Sequence, residues 1–177
     1  ASCDRENDVI MLCESKIEFS RVKHHQKKIA FWLSSMRHFH EELLEVGYRV
    51  DYVMLDDPKN THDLLKEIKA CAERHQLREV VLMQPSDYRT QEMMRSLPKK
   101  YDLALEMLPD SRFLATDTFF FTWATGKKQL RMEFFYREMR KSYDILMEGS
   151  EPVGGKWNYD SENRKPPKSG LTIPPTY

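Results

Sequence analysis

Four short apolar runs constrain this chain more than any other feature: "DVIMLC" (8–13), "YRVDYVML" (48–55), "EVVLMQ" (79–84) and, more weakly, "LALEML" (103–108). An almost unbroken apolar run between polar flanks is how a strand buried on both faces reads. Between the first two runs, Ile29, Leu33, Met36, His40 and Leu43 share one helical stripe with Trp32, Phe39 and Leu44 beside it, and Gly47 stands where a helix stop belongs. Between the second and third, Leu64, Leu65, Ile68 and Cys71 recur at helical spacing, with Thr61 placed to cap them. Strand, helix, strand, helix, strand at a period of about 30 to 40 residues predicts right-handed crossovers over an open parallel sheet, an α/β fold.

Past residue 110 the pattern changes. Residues 117–148 read as two helical stretches broken at Gly126 with no further strand, and residues 149–177 hold most of the glycine and more than half of the proline. That composition predicts neither helix nor strand and marks a linker or wrapping loop. The expected organisation is an α/β domain over 1–115, a helical extension over 116–148 that packs on the α/β core or on a further domain, and an irregular linker over 149–177.

Charge narrows the function classes. Lys plus Arg equals Asp plus Glu at 28 each, so no global field draws the chain to nucleic acid or to an acidic membrane. Cys3, Cys13 and Cys71 are too few and too scattered for a disulfide framework or a zinc site, and a reducing, cytoplasmic compartment is the expectation. No apolar run approaches the roughly 18 residues of a membrane helix. The start, "ASCDRENDV", has neither part of a signal peptide and lacks an initiator Met, as a trimmed chain would.

Several candidate sites compete. The histidines of "HHQKKIAFWLSSMRHFHEELL" (24–44) do not face a common ion: His24 and His25 point about 100° apart on a helix and His38 and His40 roughly 200°. His38 instead shares a face with Glu41 or Glu42. Clustered glycines after the first strand, which a dinucleotide loop needs, do not occur. The loop "ESKIEFSRVK" nonetheless follows the carboxyl end of a parallel strand, where open α/β sheets bind ligands. There Glu14 and Glu18 can accept hydrogen bonds from a heterocycle and Trp32 can stack on one; equally, Glu18 reads as a solvated charge and Trp32 as core. Asp56 and Asp57 precede Pro58 in a turn. No nucleophile elbow or triad order is present, so no catalytic residue is assigned. Lys127, Lys128, Arg131, Arg137, Arg140 and Lys141 are diluted by Glu133 and Glu138, which favours a helix docked on a neighbouring domain over a phosphate-binding surface.

"VKHHQKKIAFWLSSMRHF", "LPDSRFL", "GKKQLRMEFFYREMRKSYDILM" and "PVGGKWNYDSENRKPP", in this order and over nearly the whole chain, resemble the amino-terminal part of the bacterial photolyase-related proteins, the iron–sulfur branch of the photolyase and cryptochrome family. The resemblance implies a Rossmann-like antenna domain, joined by a long linker to a carboxyl-terminal helical domain that holds FAD and a four-iron, four-sulfur cluster. The parent would be a light-driven DNA repair enzyme, typically for the (6-4) photoproduct, with damaged DNA as its partner and no membrane. The alternatives are a blue-light photoreceptor that signals without repair, and a stand-alone α/β module that binds a nucleotide or a protein. Members of the family open with a strand ahead of the part matched here, a strand that would belong in the middle of the sheet. The resemblance also implies that a lumazine-type antenna pigment lies beside Glu14, Glu18, Arg21, Lys28 and Trp32. Trp32 stands where relatives carry an aliphatic residue and Arg21 where many have an aromatic one, so an empty or altered pocket is a further expectation. None of the three cysteines resembles a cluster ligand, and the fragment is expected to show no catalysis by itself.

Overall fold

A computed structural model describes residues 3–166 and 169–175, without the side chains of Ser161 and Glu162; the end of "IPPTY" lies outside the described residues. The chain divides into two compact units, residues 1–110 and 111–177.

In the first unit the apolar runs are strands. They are β1 (Ile10–Cys13), β2 (Val50–Val53), β3 (Glu79–Met83) and β4 (Ala104–Leu108). A short helix, α1 (Lys16–Ser20), and the long α2 (Gln26–Glu45) link β1 to β2; α3 (Leu64–His75) links β2 to β3; α4 (Tyr88–Arg95) and α5 (Leu97–Tyr101) link β3 to β4. Helix α2 stops as its sequence predicts: Gly47 takes a φ of +86°, which a side chain would resist, and the Gly47 and Tyr48 N–H groups donate to the Leu44 and Leu43 carbonyls. Helix α3 begins later than Thr61. Asp63 is its cap and accepts from the Leu65 and Lys66 amides, because Thr61 is engaged through both its N–H and its hydroxyl with the buried Glu67.

The strands pair parallel, as crossover connections require, but in two separate pairs. Met11 lies opposite Asp51 in the β1–β2 pair, and Val81 opposite Glu106 in the β3–β4 pair. The expected single open sheet therefore appears as two parallel ladders. The core lies on one face of β3–β4, where Leu65, Ile68 and Ala72 of α3 meet Met94, Leu97 and Leu103, with Val80, Leu82, Leu105 and Met107 against them. Leu97 is completely buried, worth about 1.5–3 kcal/mol for its side chain.

The second unit holds α6 (Asp117–Ala124) and α7 (Met132–Tyr143), then the two-residue strands β5 (Met147–Glu148) and β6 (Glu151–Pro152), a 3₁₀ turn at Val153–Gly155, and α8 (Asp160–Asn163). Residues 149–177 were expected to carry no regular structure. The small antiparallel hairpin and α8 differ from that because local bonds suffice for them: Gly149 supplies a positive φ at the turn, and the Val153 N–H donates to the Leu146 carbonyl. Phe119, Phe120, Trp123 and Phe135 pack edge-to-face or tilted between α6 and α7. The basic residues of α7 are mostly consumed within the unit. Arg137 pairs with Glu133, buried Arg140 donates to the Ile145 and Leu146 carbonyls, and Arg137, Arg140 and Lys141 all lie over the Trp157 ring.

Candidate functional site

The carboxyl ends of β1 and β2 are built around Glu14, whose N–H continues the ladder by donating to the Val53 carbonyl. Its side chain is completely buried and accepts four hydrogen bonds. Arg37 of α2 donates from Nε and Nη2 at 2.7 and 3.0 Å, the Tyr52 hydroxyl at 2.6 Å and the Leu55 N–H at 2.7 Å. Burial alone would raise the Glu14 pKa, but these bonds and the Arg37 charge outweigh it and hold the carboxylate below its ordinary range. Burial, and then donation to Glu14, push the Tyr52 hydroxyl upward. Asn60 adds a second tie, donating from Nδ2 to the Glu14 and Met54 carbonyls at 2.8 Å and accepting from the His62 N–H. The Asp56–Asp57 segment is the turn its sequence predicts, with Asp57 Oδ1 accepting from the Lys59 N–H. Glu14 thus fixes the base of the site, and its acceptor positions are in use.

The rim comes from α1 and the start of α2. Glu18 accepts a two-pronged bond from Arg89 of α4, at 3.1 and 2.8 Å, with Arg21 3.9 Å away. Trp32 is clasped: Phe19 stacks on it at 5.9 Å, His24 meets it edge-on at 5.0 Å, and the Lys28 ammonium lies 4.5 Å from the ring centroid. Of the five residues singled out from sequence, Glu18 and Arg21 lie together and Lys28 lies on Trp32, with Phe19, next to Glu18, stacked on the same indole; Glu14 is engaged separately with Arg37, Tyr52 and Leu55. Arg89, Phe19, Arg37 and Tyr52 were not singled out from sequence. Arg89 had a signal: it follows β3 as Glu18 follows β1, so the two loops of parallel strands meet at the same edge.

The histidines have separate partners. His25 caps α2 by accepting from the Lys27 N–H, His38 lies 3.5 Å from Glu41, and His40 stacks on Tyr52 at 4.8 Å. Among the described residues one group could gather on a metal ion, Asp51, Cys71 and His75, whose donor atoms lie within 4.8 Å of one another. Cys71 and His75 stand one helical turn apart, a spacing visible in the sequence. The same Asp51 oxygen already accepts from Arg74, at 3.0 and 2.7 Å, and meets His75 at 3.0 Å, so a cation would share it with a guanidinium. Against burial, these contacts lower the Asp51 pKa; burial pushes the Cys71 and Cys13 thiols up to about 12. Three cysteines in the whole chain fall short of a four-thiolate set. Among the described residues no helix is long and apolar enough to cross a membrane.

Comparison with known proteins bears on this edge. The profile of a family described as deoxyribodipyrimidine photo-lyase-related protein matches residues 1–177. A (6-4) photolyase of Agrobacterium fabrum is 42% identical over 171 residues, which cover 97% of this chain and 34% of that protein. An uncharacterized protein of Acanthamoeba polyphaga mimivirus is 24% identical over 168 residues, covering 89% of this chain and 82% of its own. The chain spans about a third of the length of the photolyase it matches.

Proposed function

Because the chain belongs to the deoxyribodipyrimidine photo-lyase-related protein family, we propose that it is the antenna-bearing amino-terminal part of a longer flavoprotein that repairs DNA photoproducts with light. The 42% identity to a (6-4) photolyase over 97% of this chain carries that reading and favours the (6-4) lesion over a purely signalling role. In this reading the two parallel ladders belong to one Rossmann-like sheet, and FAD and an iron–sulfur cluster are held by the helical remainder of the protein, which also meets the DNA. A photoexcited reduced flavin supplies the electron for repair; the residues described here hold and orient the light-gathering pigment.

The rim suits a flat heterocycle through its cations. Both Glu18 oxygens accept from Arg89, so the donors available to a ligand are the exposed Arg21 and Lys28, which match the ring carbonyls of a lumazine-type pigment. Glu14 acts as a positioning residue, fixing Arg37, Tyr52 and the Leu55 backbone beneath the rim. A second reading, an altered pocket, is favoured by Trp32 itself. Phe19, His24 and Lys28 already surround the indole, leaving a pigment the edge of the ring rather than its face.

The test uses full-length protein, reduced and mixed with duplex DNA carrying one (6-4) photoproduct. Restoration of the pyrimidines under blue light and not in the dark is the expected result; no restoration under light overturns the repair reading. An absorption band beyond those of flavin and cluster supports a filled pocket, and its absence supports the altered one.

A further inference from the structure

Asp51 is the one charged residue of β2, a strand whose other members are Val50, Tyr52 and Val53. It sits toward the amino end of the strand, opposite Met11 in the ladder, whereas Glu14 gathers its partners at the carboxyl end. The Asp51 side chain, 11% exposed, reaches the last turn of α3. A carboxylate so far removed from water needs a counter-charge, and Arg74 supplies it with two bonds, at 3.0 and 2.7 Å. That pair accounts for the charge. It does not account for Cys71 and His75, which stand one helical turn apart on α3 and converge on the same carboxylate, with His75 Nε2 3.0 Å from Oδ2.

A thiol sulfur, an imidazole nitrogen and a carboxylate oxygen from these three residues lie within 4.8 Å of one another. Donors on a tetrahedral zinc ion, with bonds of about 2.0–2.3 Å, are roughly 3.3–3.6 Å apart. Cys71 is held in place by its neighbours Ile68 and Ala72 in the core, and the half-buried His75 ring can turn to close the difference. Arg74 does not bar an ion. Its two bonds and the His75 contact all fall on Oδ2 of Asp51, which leaves Oδ1 to a metal, and a hydrogen-bonded outer oxygen is how ligating carboxylates are ordinarily held. The last carbonyls of α3 add partial negative charge beside the same turn. The donor set also selects the ion: one thiolate, one imidazole and one carboxylate suit zinc, whereas magnesium and calcium want oxygen throughout. The spacing of the three cysteines argues against a zinc site built on several thiolates, and this set uses one.

We propose that Asp51, Cys71 and His75 bind a zinc ion that clamps β2 to the last turn of α3, with water in the fourth position. On binding, the Cys71 thiol gives up its proton to solvent and ligates as thiolate, His75 ligates through the lone pair of neutral Nε2, and Asp51 ligates through Oδ1. Arg74 keeps its hold on Oδ2 and fixes the carboxylate in orientation. The clamp shares no residue with the pigment rim of Glu18, Arg21, Lys28 and Trp32, and the inference does not rest on the photochemistry of the longer protein.

The test titrates zinc chloride into full-length protein stripped of loosely held metal, in competition with a chromogenic zinc indicator. The expected result is one zinc ion per chain with a Kd of about 1 µM or tighter. His75→Gln and Cys71→Ser should each weaken binding at least about 100-fold, while exposed Cys3→Ser binds as wild type does. His75→Gln is the decisive variant, since its ring is half-buried at a helix end and its loss leaves the core of α3 in place even if Cys71→Ser does not fold. Binding by wild type weaker than about 100 µM overturns the proposal. So does His75→Gln that binds zinc as tightly as wild type, which places the ion elsewhere, or displacement of the zinc by excess magnesium, which excludes a thiolate ligand.

Discussion

Replacing Glu14 by Gln keeps the shape of the most connected side chain in the first unit and removes its charge. Four donors converge on the carboxylate, and an amide offers one oxygen and two N–H groups in its place, so at least one donor is left facing another donor. Hydrogen bonds to a charged acceptor are worth about 1.5–3 kcal/mol each. Arg37 is 45% exposed and can rehydrate, which cuts its share to about 1 kcal/mol. The Tyr52 and Leu55 donors are less able to do so, and the net loss comes to about 2–4 kcal/mol. Amide exchange in the β1–β2 ladder of full-length Glu14→Gln should then be roughly 30- to 1,000-fold faster than in wild type at neutral pH. The folded-state pKa of Glu14 is depressed, so its contribution is complete above the ordinary glutamate value of about 4.3 and is lost as pH falls through the folded value. The gap between the two proteins should therefore narrow on acidification. An effect smaller than about tenfold at neutral pH, or a gap that does not close in acid, would refute the assignment of Glu14 as the anchor.

Three further outcomes follow from the same geometry. Arg89→Ala removes a pair whose partners are 40% and 39% exposed, so it should cost only about 0.5–1 kcal/mol in thermal unfolding, an effect that shrinks with added salt; a salt-independent loss would contradict this. Thiol labelling at pH 8 should modify exposed Cys3 well before Cys13 and Cys71, whose thiols are held up to about 12, and rapid modification of buried Cys71 would show the α3 packing to be wrong. Trp32→Leu should release Phe19, His24 and Lys28 from the indole and strengthen any pigment band of the full-length protein; a band that disappears instead would mean that the indole is itself a ligand-holding surface.

Much of the fold was legible because short apolar runs between polar flanks read as strands, and all four runs became strands, although the expectation of burial on both faces does not hold for β3 and β4, where alternate residues are exposed. The end of α2 was legible because Gly47 has one inexpensive conformation there. The division into two ladders was not, since an apolar run says which segments are strands and nothing about which edges meet. Thr61 reads as a cap as well as Asp63 does until Glu67 arrives from the next helical turn to claim its hydroxyl. At the site, the loop after β1 was legible from the rule that ligands sit at the carboxyl ends of parallel strands. The hub role of Glu14 was not, because Arg37, Tyr52 and Leu55 lie 23 to 41 residues away in the chain.

The division of labour is tested most directly by irradiating (6-4)-damaged duplex DNA with the 177-residue chain and with the full-length protein side by side. The account predicts repair by the full-length protein alone, with Lys28→Ala lowering its yield only at wavelengths that the antenna pigment absorbs. Repair by the 177-residue chain, or loss of repair at every wavelength when Lys28 is replaced, would contradict it.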